Sequence, residues 1–123
     1  MRTLRGHTDW VDGVAVVPDG DKVISTSHDQ TLKVWDLKSG KELQTLRGHA
    51  REVNAVAVMP DGAGVLSASS DRTLKVWDLK SGKVAPSFTA DGAIQACAVA
   101  RDGMIIIAGD GLGTVHFLKL IVP

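Results

Sequence analysis

The stretch Thr31-Leu32-Lys33-Val34-Trp35-Asp36-Leu37-Lys38-Ser39-Gly40-Lys41 returns without a change as residues 73–83. The offset is 42 residues, and the same offset carries Gly6-His7 onto Gly48-His49 and Pro18-Asp19-Gly20 onto Pro60-Asp61-Gly62. Between residues 6–47 and 48–89, about 24 of 42 positions are identical. The chain is therefore built on a duplicated unit, and a period in the range of about 20 to 50 residues defines an architecture rather than a local feature.

Within each unit the apolar runs are short and alternate with polar residues at period two, the mark of half-buried strands. The first strand of the first unit reads Val11 to Val17 and ends at Pro18-Asp19-Gly20, where Pro pre-sets φ and Gly accepts a positive one. Lys22 to Thr26, a turn at Ser27-His28-Asp29-Gln30, Thr31 to Asp36, a turn at Lys38-Ser39-Gly40, and Glu42 to Leu46 complete it. This reading predicts an all-β chain with four antiparallel strands per unit. A third, eroded copy keeps Asp102-Gly103 and Thr114-Val115-His116-Phe117-Leu118, now at an offset of 41. It lacks the Gly-His pair, carries Leu118 in place of the tryptophan, and has Leu112 where the turn aspartate stood.

Composition narrows the function classes. At 123 residues, 44% hydrophobic and 23% charged, the chain fits one folded domain, placed at 1–123 with repeats at about 6–47, 48–88 and 89–120. Fourteen basic residues balance fourteen acidic ones with no run of either sign, which argues against nucleic acid as a partner. The opening Met1-Arg2-Thr3-Leu4-Arg5 has no apolar leader, and no stretch approaches the roughly 18 apolar residues of a membrane helix. A single cysteine, Cys97, set among Ala96, Ala98 and Val99, reads as a small buried hydrophobe in a reducing compartment. A cytoplasmic protein without cofactor or membrane contact is expected.

A Gly-His pair, a Ser-x-Asp-x-Thr turn and a Trp-Asp strand end, repeating every 42 residues, closely resemble the WD-repeat β-propeller family. The resemblance covers essentially the whole chain, with residues 88–120 similar to the closing repeat of prokaryotic WD propellers, several of which sit at the C-terminus of signalling ATPases. It implies a hydrogen-bonded structural tetrad at His7, Ser25, Asp29 and Trp35, and another at His49, Ser67, Asp71 and Trp77. It further implies a ligand-binding face on the loop before the first strand and the turn between the second and third. Those positions are Trp10, Asp12 and His28, then Glu52, Asn54 and Ser70, and in the third unit Gln95 with Gly111. Trp10, an aromatic at a loop tip beside Asp9 and Asp12, is the sharpest anchor candidate, although its ring could equally pack on a neighbouring blade.

Ser, His and Asp are also the parts of a hydrolase triad. Here the set occurs twice at one period, each with a tryptophan to occupy the serine, and neither serine lies in a Gly-x-Ser-x-Gly elbow. Gly109-Asp110-Gly111-Leu112-Gly113 is a weak match to a nucleotide-binding loop, but it lies between strands with no helix to follow, so a turn is expected. His28 and His116 read as single imidazoles without carboxylate partners at ligand spacing, and no metal site is expected.

In the family the sequence repeat begins with the outermost strand of the preceding blade. Arg2 to Arg5 match Thr45-Leu46-Arg47, so residues 1–5 read as an outer strand that completes another blade. Three blades are fewer than the usual 4–8 or so around a channel, and the open arc would expose apolar blade faces and a sheet edge. The expectation is a partial propeller closed only by oligomerisation, as a dimer or trimer, that acts as a non-catalytic scaffold for a protein or peptide ligand. The alternative is a C-terminal fragment of a larger propeller that served as a sensor or regulatory domain.

Overall fold

The computed structural model describes residues 3–18 and 20–119. Met1 and Arg2 of the expected outer strand, Asp19 of the first turn and Leu120 of the last unit lie outside them. The chain folds as three antiparallel sheets. β1 (Val11–Val16), β2 (Lys22–Ser27), β3 (Leu32–Asp36) and β4 (Glu42–Leu46) form the first in chain order. β5 (Val53–Val58), β6 (Gly64–Ser69), β7 (Thr73–Asp78) and β8 (Phe88–Thr89) form the second, and β9 (Ile94–Val99), β10 (Ile105–Asp110) and β11 (Val115–Lys119) the third. These are all-β propeller blades, and no helix among the described residues is long and apolar enough to cross a membrane.

Local chemistry fixes the registers. Gly62 sits at φ 75°, and its N–H donates to the Met59 carbonyl at 2.9 Å, closing the hairpin between β5 and β6 in a conformation that a side chain resists. At the next hairpin Gln30 and Arg72 adopt positive φ of 76° and 73°, held by aspartates that accept from the backbone of Thr31 and Thr73. The third unit uses Gly113 at that position, with φ 88°.

Alternation then assigns two faces to each blade. Opposite partners share a face, so Val14, Ser25 and Lys33 stand in one row of blade 1, and Val16, Val23 and Trp35 form the next row on the same face. The other face carries Ile24, Leu32 and Val34, each at most 1% exposed, which pack on Val65, Trp77, Val56 and Val58 of blade 2. The arrangement repeats one blade on: Leu66, Leu74 and Val76 pack on Ile106, Cys97, Val99 and Leu118 of blade 3. The core therefore lies between blades, in two layers of the same design. Burial pushes the Cys97 thiol up to about 12, so it behaves as an apolar filler and not as a nucleophile.

Two features depart from a uniform four-strand unit. The outer strand of blade 2 is reduced to Phe88–Thr89, preceded by a single bridge between Trp77 and Val84. Pro86 occupies the position of Gln44, so the ladder loses an N–H and the Gln44 amide bond that ties β4 to the Leu79 carbonyl has no equivalent. Blade 3 has three strands, and Thr3–Arg5 form none among the described residues. Among the described residues no strand of blade 3 pairs with one of blade 1, and the ring is open.

Candidate interaction face

The loops at one end of the blades are organised by buried polar side chains. In blade 1 the Trp35 indole Nε1–H donates to Ser25 Oγ at 2.8 Å, Ser25 Oγ lies 2.7 Å from His7 Nε2, and His7 Nδ1 lies 2.8 Å from Asp29 Oδ2. Blade 2 repeats this with Trp77 to Ser67 at 2.8 Å, Ser67 to His49 at 2.6 Å and His49 to Asp71 at 2.8 Å. One proton order satisfies every member: indole to serine, serine hydroxyl to Nε2, and Nδ1–H to carboxylate. The far carboxylate oxygens take the backbone N–H and hydroxyl of Thr31 and Thr73. Gly6 and Gly48 are glycine because a Cβ there would lie 2.9 Å and 3.1 Å from the Cη2 atoms of Trp35 and Trp77.

The electrostatics follow from this geometry. Burial alone would raise the Asp29 carboxyl, but hydrogen bonds from Thr31, His7 and Thr8 outweigh it and hold the group at about 2. Asp71 is likewise raised by burial and brought down to about 2 by Thr73, Ala50 and His49. His49 goes the other way: burial disfavours its cation more than Asp71 supports it, and its pKa falls below the ordinary value. A hydrolytic serine needs open space for an acyl carbon, whereas Ser67 is fully buried and Ser25 nearly so, each with an indole on its oxygen.

The candidate binding residues form a string beside these networks. Trp10 is 73% exposed, and its ring touches His28 at a centroid distance of 5.0 Å instead of packing on a neighbouring blade. Asp12 Oδ2 lies 2.6 Å from His28 Nδ1, and Asp9 Oδ1 accepts the Trp10 N–H at 2.7 Å. Glu52 continues the string, its carboxyl held low by its own N–H, by Ser70 and by the charge of His28. Asn54 differs, because its amide N–H groups go to Ser70 Oγ and to the Ile94 carbonyl, both at 2.9 Å, so it joins blades 2 and 3. Gln95 is exposed, and a Cβ at Gly111 would lie 3.7 Å from its Nε2.

His28 and His116 each face a single carboxylate, a pairwise contact and not a set of metal ligands. His116 Nε2 lies 2.9 Å from Asp110 Oδ2, and the His116 ring meets Phe88 edge-on at 5.3 Å. Asp110 stands where blades 1 and 2 have Ser27 and Ser69, accepts the N–H groups of Leu112 and Thr114, and is held below its usual pKa chiefly by His116. The signal was in the sequence: in a hairpin that sets His116 opposite Ala108, Asp110 stands two residues on along the same face, diagonally next to the imidazole.

Comparison with known proteins agrees with this architecture. The family model described as WD domain, G-beta repeat matches residues 1–36 and 40–78, more than half of the chain and the whole of both tetrads. Lissencephaly-1 homolog 1 of Paramecium tetraurelia is 50% identical over 40 residues, 32% of this chain and 10% of that protein. An uncharacterised WD repeat-containing protein of Synechocystis is 47% identical over 45 residues, 36% of this chain and 13% of its own. The tRNA (guanine-N(7)-)-methyltransferase non-catalytic subunit wuho of Anopheles gambiae is 50% identical over 38 residues, 31% of this chain and 10% of its own. The chain thus covers only about a tenth of the length of these relatives. With its matched repeats, its paired Ser, His, Asp and Trp networks and its four-stranded blades, the chain belongs to the WD-repeat family.

Proposed function

We propose that this chain is a non-catalytic scaffold module that binds a protein or peptide on the face carrying Trp10, Asp12, His28, Glu52, Ser70 and Gln95. The observation that carries the reading is Trp10 itself. A bare indole at 73% exposure forgoes burial, yet its backbone and ring are pinned by Asp9, His28 and Asp12. Pre-ordered aromatic residues lose little entropy on binding and are over-represented among residues that dominate interface energy. The tetrads in this reading are structural: they hold the loops from which the face projects. Asn54 serves the same purpose, as its amide is spent on the scaffold. The relatives support a module of this kind, one of them being named as a non-catalytic subunit.

A second reading has an observation of its own. The matched stretches are small parts of longer relatives, which favours a propeller segment whose remaining blades lie elsewhere, as in the prokaryotic propellers attached to signalling ATPases that residues 88–120 resemble. The binding face is the same in both.

Selection of peptides from a displayed random library, followed by anisotropy measurements, tests the face. Trp10→Ala is expected to weaken the selected peptides by about 30-fold or more, the effect of losing an anchor worth roughly 2 kcal/mol, with the circular dichroism and melting temperature unchanged. Equal affinity of wild type and variant would move the binding face elsewhere.

A further inference from the structure

We propose that the chain assembles head to tail with a second copy of itself, the outer face of blade 3 docking on the outer face of blade 1 of the next copy. The inference deepens the scaffold reading by naming the surface through which the arc is extended.

The argument is internal symmetry. The interface of blade 1 on blade 2 sets Ile24, Leu32 and Val34 against Val56, Val58 and Val65, and the interface of blade 2 on blade 3 repeats it. At the offsets of 42 and 41 residues, the counterparts of Ile24, Leu32 and Val34 in blade 3 are Ile107, Val115 and Phe117. The counterparts of Val56, Val58 and Val65 in blade 1 are Val14, Val16 and Val23. Phe117 and Val115 are 72% and 59% exposed where Val34 and Leu32 are buried, and Val14 and Val16 are 68% and 60% exposed where Val56 and Val58 are packed. One chain therefore presents both halves of an interface it already makes twice. Register pairs Ile107 with Phe117 across β10 and β11, so the apolar row of blade 3 is continuous, as is the row of Val16 and Val23 in blade 1.

A second copy fits because its two end faces are the counterparts of faces that pack on each other inside the chain. The contact is heterologous, and a repeated rotation of this kind closes a ring or runs on as an open chain of subunits. Exposed apolar faces of this kind mark association surfaces.

Sedimentation equilibrium over a dilution series of the full chain reads the outcome, with Val14→Asp and Phe117→Asp as variants. Both sites are at the surface of a single copy, so circular dichroism should show unchanged folding, and Val16→Asp and Val115→Asp replace any variant that fails this check. The wild type is expected to associate, and each variant to associate about 100-fold or more weakly, since a carboxylate would be buried unpaired. An equimolar mixture of the two variants should recover a one-to-one dimer, because Val14→Asp keeps the blade 3 face and Phe117→Asp keeps the blade 1 face. A monomeric wild type would overturn the proposal, as would continued self-association of either variant or failure of the mixture to pair. Trp10→Ala separates this from the binding reading: it should leave the mass distribution untouched whatever it does to peptide affinity.

Discussion

Trp77→Ala is expected to lower the unfolding midpoint by about 10–25 °C, from a loss of about 3–5 kcal/mol. Trp77 is 1% exposed at the layer between blades 1 and 2, and its indole both fills that layer and donates to Ser67. A domain of this size holds only about 5–15 kcal/mol in total, so the variant should sit at the margin of folding, which thermal melts at matched concentration will show. Blade 3 points to the milder replacement. There Leu118 occupies the tryptophan site and Ala108 the serine site, so the hydroxyl disappears together with the indole that bonded it. Trp77→Leu with Ser67→Ala should accordingly cost less than the sum of the two single changes, and strict additivity would count against coupling through that bond.

Acid is expected to destabilise the fold in two stages. His49 has a folded pKa below its unfolded value near 6.5, so the unfolded chain takes up the proton first and stability begins to fall as pH drops below that value. Asp29 and Asp71 stand at about 2 in the fold against a model value of 3.8. Their contribution is complete above the unfolded value and is lost as pH falls from there through about 2. Allowing for solvent screening at the loop surface, each should account for roughly 1–2 kcal/mol. Melting temperatures at pH 7, 5 and 3 should decline at both steps, and Asp71→Asn should start lower at pH 7 and flatten the lower step. A melting temperature constant from pH 7 to pH 3 would contradict the assignment.

Much of this was legible in the sequence, because period-two alternation and fixed turn residues act over a few neighbours. β2, β3 and β4 begin and end within a residue of where the pattern places them, and the tetrad positions came from the family resemblance carried by Gly-His, Ser-x-Asp and Trp-Asp. Blade 2 has its fourth strand, and the shortness of that strand follows from Pro86, whose missing N–H is visible in the sequence. Asp110 and His116 were missed because the family pattern directs attention to the residues that have been lost and away from a substitute pairing. The state of Trp10 could not be read at all, since whether an indole at a loop tip meets solvent or a neighbouring blade depends on how blades stack. The two end faces became visible only once counterparts in the three blades could be compared for exposure.

The tetrad has a consequence for how such chains multiply. Its histidine stands before β1 or β5, outside the sheet it stabilises, while the serine and tryptophan lie in strands of that sheet and the aspartate in the turn between them. A DNA segment copied at the borders of a sheet would leave the histidine behind and yield a blade with an orphaned serine and aspartate. One copied from Gly6 to Arg47 carries the complete network and delivers a self-sufficient cassette. The recurring unit, residues 6–47, is thus the sheet β1–β4 together with the Gly-His pair before it, and this frame keeps the hydrogen-bonded set intact on duplication. Blade 3, with Asp110 and His116 inside one hairpin, is released from that constraint.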